Sequence, residues 1–279
     1  MISNKLIVNA AITGCVLNKG EHPNLPVTLN EIADCVAEVV DEGASIVHLH
    51  ARCEDGGASH SAADYMELVK RVRRARPEVV VCVSLSGRHA HQVEQRLAPL
   101  DSKPDMASLT LGSMNFPTQA SLNDPNTIQQ LAHRLQELDV MPELEVFEAG
   151  FIHYSKHLIK TGLLKAPHYF NIILGSLGAA PLDLLGLGHM LTLLPPDSIW
   201  SVGGIGRFQL PANVMAIAAG GHVRVGMEDN PFLNWETREP ATNPQLVRRV
   251  VSIARELGRE PATPAEVREL LRMRSRVAL

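Results

Sequence analysis

The sequence predicts a (β/α)8 barrel in one domain over residues 1–279, closed by an extra C-terminal helix. Short β-branched runs alternate with amphipathic stretches, the alternation repeats through eight units, and a capped helix follows the last of them. The apolar runs cover 5–13, 45–52, 79–86, 106–112, 141–147, 169–175, 199–205 and 222–228. Helical patterns fill the intervals at 30–41, 62–75, 90–99, 125–138, 153–161, 182–193 and 212–219, with another at 244–257. The final helix opens at Thr263-Pro264-Ala265-Glu266, a capping box with proline at the first helical position. A doubly wound open sheet is the other architecture that alternating units allow.

Composition narrows the function classes. The 279 residues are 45% hydrophobic and carry a formal net charge of −4, which is not the basic footprint of a nucleic-acid binder. The cysteines Cys15, Cys35, Cys53 and Cys82 are widely spaced, so neither a disulfide framework nor a cysteine-rich zinc module is expected. No signal-peptide pattern opens the chain, and no apolar run reaches the roughly 18 residues of a membrane span. The expectation is a soluble cytoplasmic enzyme.

Parity along the runs says more than their number, because alternate side chains of a strand face opposite sides. Val47, Leu49 and Ala51 share one face; His48, His50 and Arg52 share the other. Val81, Val83 and Leu85 oppose Cys82, Ser84 and Ser86, and Leu109 and Leu111 oppose Ser108, Thr110 and Gly112. Leu144 and Val146 oppose Glu143 and Glu145; Val223, Val225 and Met227 oppose Arg224, Gly226 and Glu228. The aliphatic faces fit a helix layer, which turns the polar sets toward the barrel axis. Unpaired charges there cost several kcal/mol each, so a metal with a polar substrate is expected to satisfy them.

His48-Leu49-His50 places two imidazoles on one face at the end of a strand where barrel active sites lie. The alternative is a pair of hydrogen-bonded core histidines. A second such pair, His89 and His91, begins a helical pattern that separates the rings, and it reads as solvated or capping. A third ligand is needed for a catalytic zinc site with an open position. Glu228 has the parity and the strand-end position; Glu143 and Glu145 are alternatives. Asp229 follows at once as a candidate base, and the bland reading of both acids is a solvated loop. Arg224 faces inward and must pair with Asp229, a substrate carboxylate, or Glu143 or Glu145. Ser84, Ser86 and Gly87 offer hydroxyls and amides to an anion, or simply end a strand. Gly203-Gly204-Ile205-Gly206-Arg207 lies where such barrels hold phosphate, but it lacks the dinucleotide fingerprint and its ribose-binding acid.

These residues occur in a familiar order: Ala11-Ile12-Thr13-Gly14, Pro23-Asn24-Leu25-Pro26, His48-Leu49-His50-Ala51-Arg52, Ala149-Gly150, Gly204-Ile205-Gly206-Arg207 and Gly226-Met227-Glu228-Asp229-Asn230. Over nearly its whole length the chain resembles the β-keto acid cleavage enzymes. The resemblance implies a zinc-dependent barrel, usually a homotetramer, that converts a β-keto acid and acetyl-CoA into acetoacetate and a new CoA thioester. It implies zinc ligands His48, His50 and Glu228, a base at Asp229 paired with Arg224, and support from Ser84 and Glu145. Ser108 and Thr110 stand where the family binds the substrate carboxylate, with Gly87 beside them, and Thr110 replaces a more usual asparagine. Gly204, Gly206 and Arg207 are the expected contacts to the CoA cofactor. Members acting on an amino-substituted keto acid carry an acid where this chain has Val16, so a substrate with a neutral or apolar tail is expected. The rivals are a zinc hydrolase of the amidohydrolase type, disfavoured by the histidine pair falling on the second run, and a non-catalytic barrel.

Overall fold

The computed structural model describes residues 4–88, 90, 92–117 and 119–274; the pair His89 and His91 lies outside them. Eight parallel strands close into a barrel: β1 (Val8–Ala11), β2 (Ile46–Leu49), β3 (Val80–Val83), β4 (Met106–Thr110), β5 (Met141–Val146), β6 (His168–Leu174), β7 (Ser198–Gly204) and β8 (His222–Val225). The strands pair in chain order, and β8 pairs with β1. Around them run α1 (Leu29–Asp41), α2 (Ala62–Ala75), α3 (Val93–Leu97), α4 (Pro125–Glu137), α5 (Ala149–Lys160), α6 (Leu184–Leu193), α7 (Gln209–Ala218) and α8 (Asn243–Glu256). Among the described residues no helix is long and apolar enough to cross a membrane.

The two faces of each strand separate as the alternation predicts. Val47, Leu49, Val81, Val83, Leu109, Leu144, Val146, Val223 and Val225 belong to the large apolar cluster shared with the helices. A second, smaller cluster inside the barrel holds Ile7, Ile46, Val80, Cys82, Met106 and Tyr169. The interior is therefore stratified. Inward rows start apolar at the N-terminal end and turn polar above it on several strands: Ile46 precedes His48, Met106 precedes Ser108, and Tyr169 precedes Asn171. Burial of the lower layer supplies cohesion, and the upper layer is left to polar groups joined by hydrogen bonds and ion pairs.

The last helix, α9 (Pro264–Leu270), plugs the bottom. Its Thr263 hydroxyl accepts from the Glu266 N–H while the Glu266 carboxylate accepts from the Thr263 N–H, the expected capping box. Val267 and Leu271 join the inner cluster.

Three elements differ from the sequence pattern. The 90–99 stretch is helical only from Val93, and it tightens into a 3₁₀ turn over Ala98–Ser102, where Pro99 has no N–H to give. The first run breaks into Lys5–Leu6 and β1, with Lys5–Leu6 pairing Glu260–Pro261 beside the plug. The eighth run stops as a strand at Val225, because Gly226 has φ +155° and lies against the Ala11 carbonyl where no side chain fits.

His222 sits at the base of β8 with its Nδ1 accepting the Ile7 N–H at 3.0 Å. Burial, helped by the Arg259 charge, lowers its pKa to about 3. The unfolded chain takes up this proton near pH ~6.5 and the folded one only near 3, so the stability from a neutral His222 is full above that window and is lost as pH falls through it. His222→Asn keeps an acceptor for Ile7 without titrating. Urea midpoints at pH 6, 5 and 4 are expected to fall less steeply in the variant, by about 1 kcal/mol per pH unit. Parallel slopes would show that His222 is not the group responsible.

Candidate active site

A cavity of about 550 Å³ opens at the C-terminal ends of the strands. Its floor is the polar upper layer of the barrel, and its walls are the loops that follow β1 and β3 to β8. His48 and His50 stand side by side at the end of β2, ring centroids 5.3 Å apart. Glu228 closes on them: its Oε1 lies 3.4 Å from His50 Nε2 and 3.9 Å from His48 Nε2. The three side chains offer ligand atoms all within 4.8 Å of one another.

Glu228 reaches that point from a turn, not from the strand of the sequence pattern. Once Gly226 has ended β8, the turn brings both acids that follow onto one guanidinium, and regular alternation would have sent them apart. Arg224 Nε donates to Asp229 Oδ2 at 2.7 Å, and Nη2 donates to Glu228 Oε1 at 2.7 Å and to Asp229 Oδ1 at 3.3 Å. Glu145 Oε1 lies 3.7 Å from Nη1, too far for a hydrogen bond, and Nη1 is buried without a hydrogen-bond partner. Arg224 itself is 2% exposed, so this is a buried charge cluster, and each member depends on the others. Gly14, at φ +58°, gives Glu228 room: a Cβ there would stand 2.7 Å from Glu228 Cγ.

The cluster sets the protonation states. Burial acts to raise the Glu228 pKa, but His50, Arg224 and His48 override it and hold the carboxyl well below its ordinary range. Burial acts to lower the His50 pKa, yet the Glu228 carboxylate carries it up to about 10. Asp229 is raised by burial and by the Glu228 charge, against the pull of Arg224. Glu145 is raised by burial and by Glu143, one layer below it on the same strand. Neighbouring carboxyls are thus driven apart, the arrangement that separates acid from base.

The donor set fits a divalent metal. Two imidazoles and one carboxylate meeting at one point suit zinc with an open position. Glu228 Oε2 is buried with no partner, an orphan that a metal would satisfy.

Other candidates fall into two groups. Ser84, Thr110, Glu145, Val16 and Gly206 line the same cavity, and the Thr110 hydroxyl donates to Glu145 Oε2 at 2.6 Å. Ser108 is not in the wall; its hydroxyl accepts the Leu85 N–H at 3.0 Å. Gly87 packs beneath the loop, where a Cβ would strike the Leu122 carbonyl and Arg96. Gly204 packs on the Phe208 carbonyl, and exposed Arg207 lies over the Phe208 ring at 4.9 Å. The Gly206 N–H is already given to the Asp229 carbonyl at 2.7 Å, so this glycine turn ties two loops together.

The sequence pattern missed the aromatic wall. Phe116, Phe147, Phe232 and Trp235 line the cavity, and the Arg88 guanidinium lies 3.4 Å over the Phe116 ring. Phe116 and Trp235 sit on loops, Phe232 on a two-stranded hairpin above the barrel and Phe147 just past the end of β5, where two-residue alternation does not mark them. Asn9 and Asn171, which reach Glu143, did have a signal: both are inward positions of their strands.

A barrel with a histidine pair and a carboxylate that could hold a metal ion, and a second acid held beside them on a buried arginine, has the parts of an enzyme active site. Residues 5–273 match the beta-keto acid cleavage enzyme family. The chain is 38% identical over 272 residues to the 3-keto-5-aminohexanoate cleavage enzyme of Fusobacterium nucleatum subsp. nucleatum, covering 97% of this chain and 98% of that protein. It is 34% identical over 268 residues to the 3-oxoadipate:acetyl-CoA acetyltransferase of Cupriavidus necator, covering 95% and 94%. Among solved structures, apo ObcA superposes with a TM-score of 0.75 at 20% identity. That match covers 90% of this chain and 66% of ObcA, so the likeness concerns the fold and spans about two thirds of the ObcA chain. The chain belongs to the beta-keto acid cleavage enzyme family and is an enzyme of that kind.

The charge cluster makes a stability prediction. Arg224→Met leaves Glu228 and Asp229 buried without their cation, and the expected loss is about 3–5 kcal/mol in urea unfolding at pH 8. The deficit should shrink toward pH 5 as those carboxyls protonate. A variant as stable as the wild type at pH 8 would show that the cluster is held by something else.

Proposed function

We propose that the chain condenses a β-keto acid with acetyl-CoA and cleaves the product to acetoacetate and a new acyl-CoA, with zinc as its metal. The observation that carries this reading is the pairing of a metal-ligating trio with a separate acid, Asp229, fixed beside it by Arg224 at 2.7 Å. His48, His50 and Glu228 would hold the zinc, which when bound supplies a Lewis acid for the keto oxygen and the carboxylate of the substrate.

Asp229 takes the proton from the carbon between those two groups. Its raised pKa strengthens it as a base, and Arg224 keeps its carboxylate aimed. The buried, unpartnered Nη1 of Arg224 is left to a substrate oxygen. The carbanion formed at that carbon attacks the acetyl carbonyl of the thioester and releases the CoA thiolate. The thiolate then adds to the original keto carbon, and the bond to the former substrate carbon breaks to give acetoacetate. Glu145, held by the Thr110 hydroxyl and raised in pKa, is suited to carry a proton between these steps. Ser84 offers a hydroxyl to the substrate from the cavity floor.

The tail of the β-keto acid is read by the loop after β1. Val16 lines the cavity and cannot pair an ammonium group, and together with Phe116, Phe147 and Trp235 it favours a neutral or apolar tail.

Two measurements test these roles. Asp229→Ala is expected to lose about 10²–10⁴-fold in kcat while keeping its zinc; activity within tenfold of wild type would remove Asp229 as the base. Val16→Glu, at a position 58% exposed, is expected to raise kcat/KM for an amino-substituted β-keto acid relative to its neutral analogue by about tenfold. An unchanged ratio would place the tail elsewhere in the cavity.

A further inference from the structure

We propose that Glu143 is a positioning residue for the metal centre, holding His48 through Nδ1 so that Nε2 faces the point shared with His50 and Glu228. This rests on reading those three residues as the ligands.

Glu143 is fully buried in the barrel axis, one layer below the cavity floor, where an ionised carboxylate needs every lone pair occupied. It has them. Its Oε1 accepts from Asn9 Nδ2 at 2.5 Å and from Asn171 Nδ2 at 3.0 Å. Its Oε2 takes His48 Nδ1 at 2.7 Å, with the Cys82 thiol behind at 3.4 Å. The Asn171 amide is itself oriented, since its Oδ1 accepts the Ser201 hydroxyl at 3.1 Å. Two amides therefore fill one oxygen and leave the other to the imidazole.

The consequence is a fixed tautomer. An ionised carboxylate only accepts, so the His48 nitrogen facing it carries the hydrogen and Nε2 carries the lone pair. Strands β1, β2, β5, β6 and β7 each contribute a member, so the ring is aimed by the barrel itself.

His48, Cys82 and Glu143 also lie within ligand distance of one another, as a rival place for an ion. Geometry speaks against it. The direct 2.7 Å bond leaves no space between His48 and Glu143, and neither Cys82 nor Glu143 reaches the cavity.

Glu143→Gln presents an amide in place of an acceptor. With Asn9 and Asn171 both donating to its oxygen, its NH₂ faces His48, which must then accept at Nδ1 and carry its hydrogen on Nε2. Competition of the full-length protein with a chromophoric chelator for zinc should show affinity weakened by about 10–100-fold. Nitrogen NMR of the metal-free proteins should show the hydrogen on Nδ1 in wild type and on Nε2 in the variant. Asn9→Ala and Cys82→Ser, which spare the His48 bond, should stay within about threefold of wild-type zinc affinity. If Glu143→Gln does not fold, Glu143→Asp withdraws the carboxylate by one methylene and should weaken zinc in the same direction. Unchanged affinity and tautomer in the Glu143 variants overturn the inference alone, and a large loss in Cys82→Ser overturns it by placing the ion in the lower trio. Wild-type protein that takes up no zinc removes the ligand reading with it.

Discussion

A guanidinium enclosed in a β-barrel has to be answered by carboxylates, and the way Arg224 is answered organises the whole site. Its Nε and Nη2 take Asp229 and Glu228 at 2.7 Å each, and Nη1 is turned toward Glu145. One cation thus fixes a candidate metal ligand and a candidate base relative to one another, with Glu145 nearby on the Thr110 hydroxyl. The arrangement requires the chain to leave strand geometry after Val225, because a strand could not deliver two consecutive acids to one side. Gly226 permits that departure, and Gly14 leaves the space that Glu228 fills.

The rest of the barrel supports this cluster from below. The inner apolar layer around Ile46, Met106 and Tyr169 keeps the lower barrel dry, with α9 sealing it. Above that layer, Asn9, Asn171 and Glu143 form a network with every bond internal to the barrel. The Glu143 carboxylate at its centre is met on both oxygens, which holds the His48 ring in place before substrate arrives. The candidate site is thereby confined to the top layer, and in the proposed function the loops above it, with Val16, Phe116 and Trp235 in the cavity lining, select the substrate tail.

Much of this was legible in the sequence, for identifiable reasons. Two-residue periodicity is a strong signal in a barrel whose outer face is aliphatic throughout, so the inward direction of His48, His50, Arg224 and Glu145 could be read from their neighbours. The same parity marks Asn9 and Asn171 as inward positions of the first and sixth strands. Position in the cavity was harder. Ser108 has the right parity, but its hydroxyl is occupied by the Leu85 N–H. Gly204 and Arg207 pack on Phe208 outside the cavity lining, although Gly206 between them reaches it. Loop aromatics such as Phe116 and Trp235 carry no period at all. What a turn does with its amides, and which face a loop presents, depends on contacts between distant segments.

The measurement that bears most directly on the account is product analysis with zinc-loaded protein, isotope-labelled acetyl-CoA and a neutral acid such as β-ketohexanoate. The account predicts acetoacetate carrying the label in its keto carbon, formed in equal amount with butyryl-CoA, and arrested when a chelator strips the metal. Free CoA and acetate without a new thioester, or label retained in the thioester pool with no acetoacetate, would contradict it.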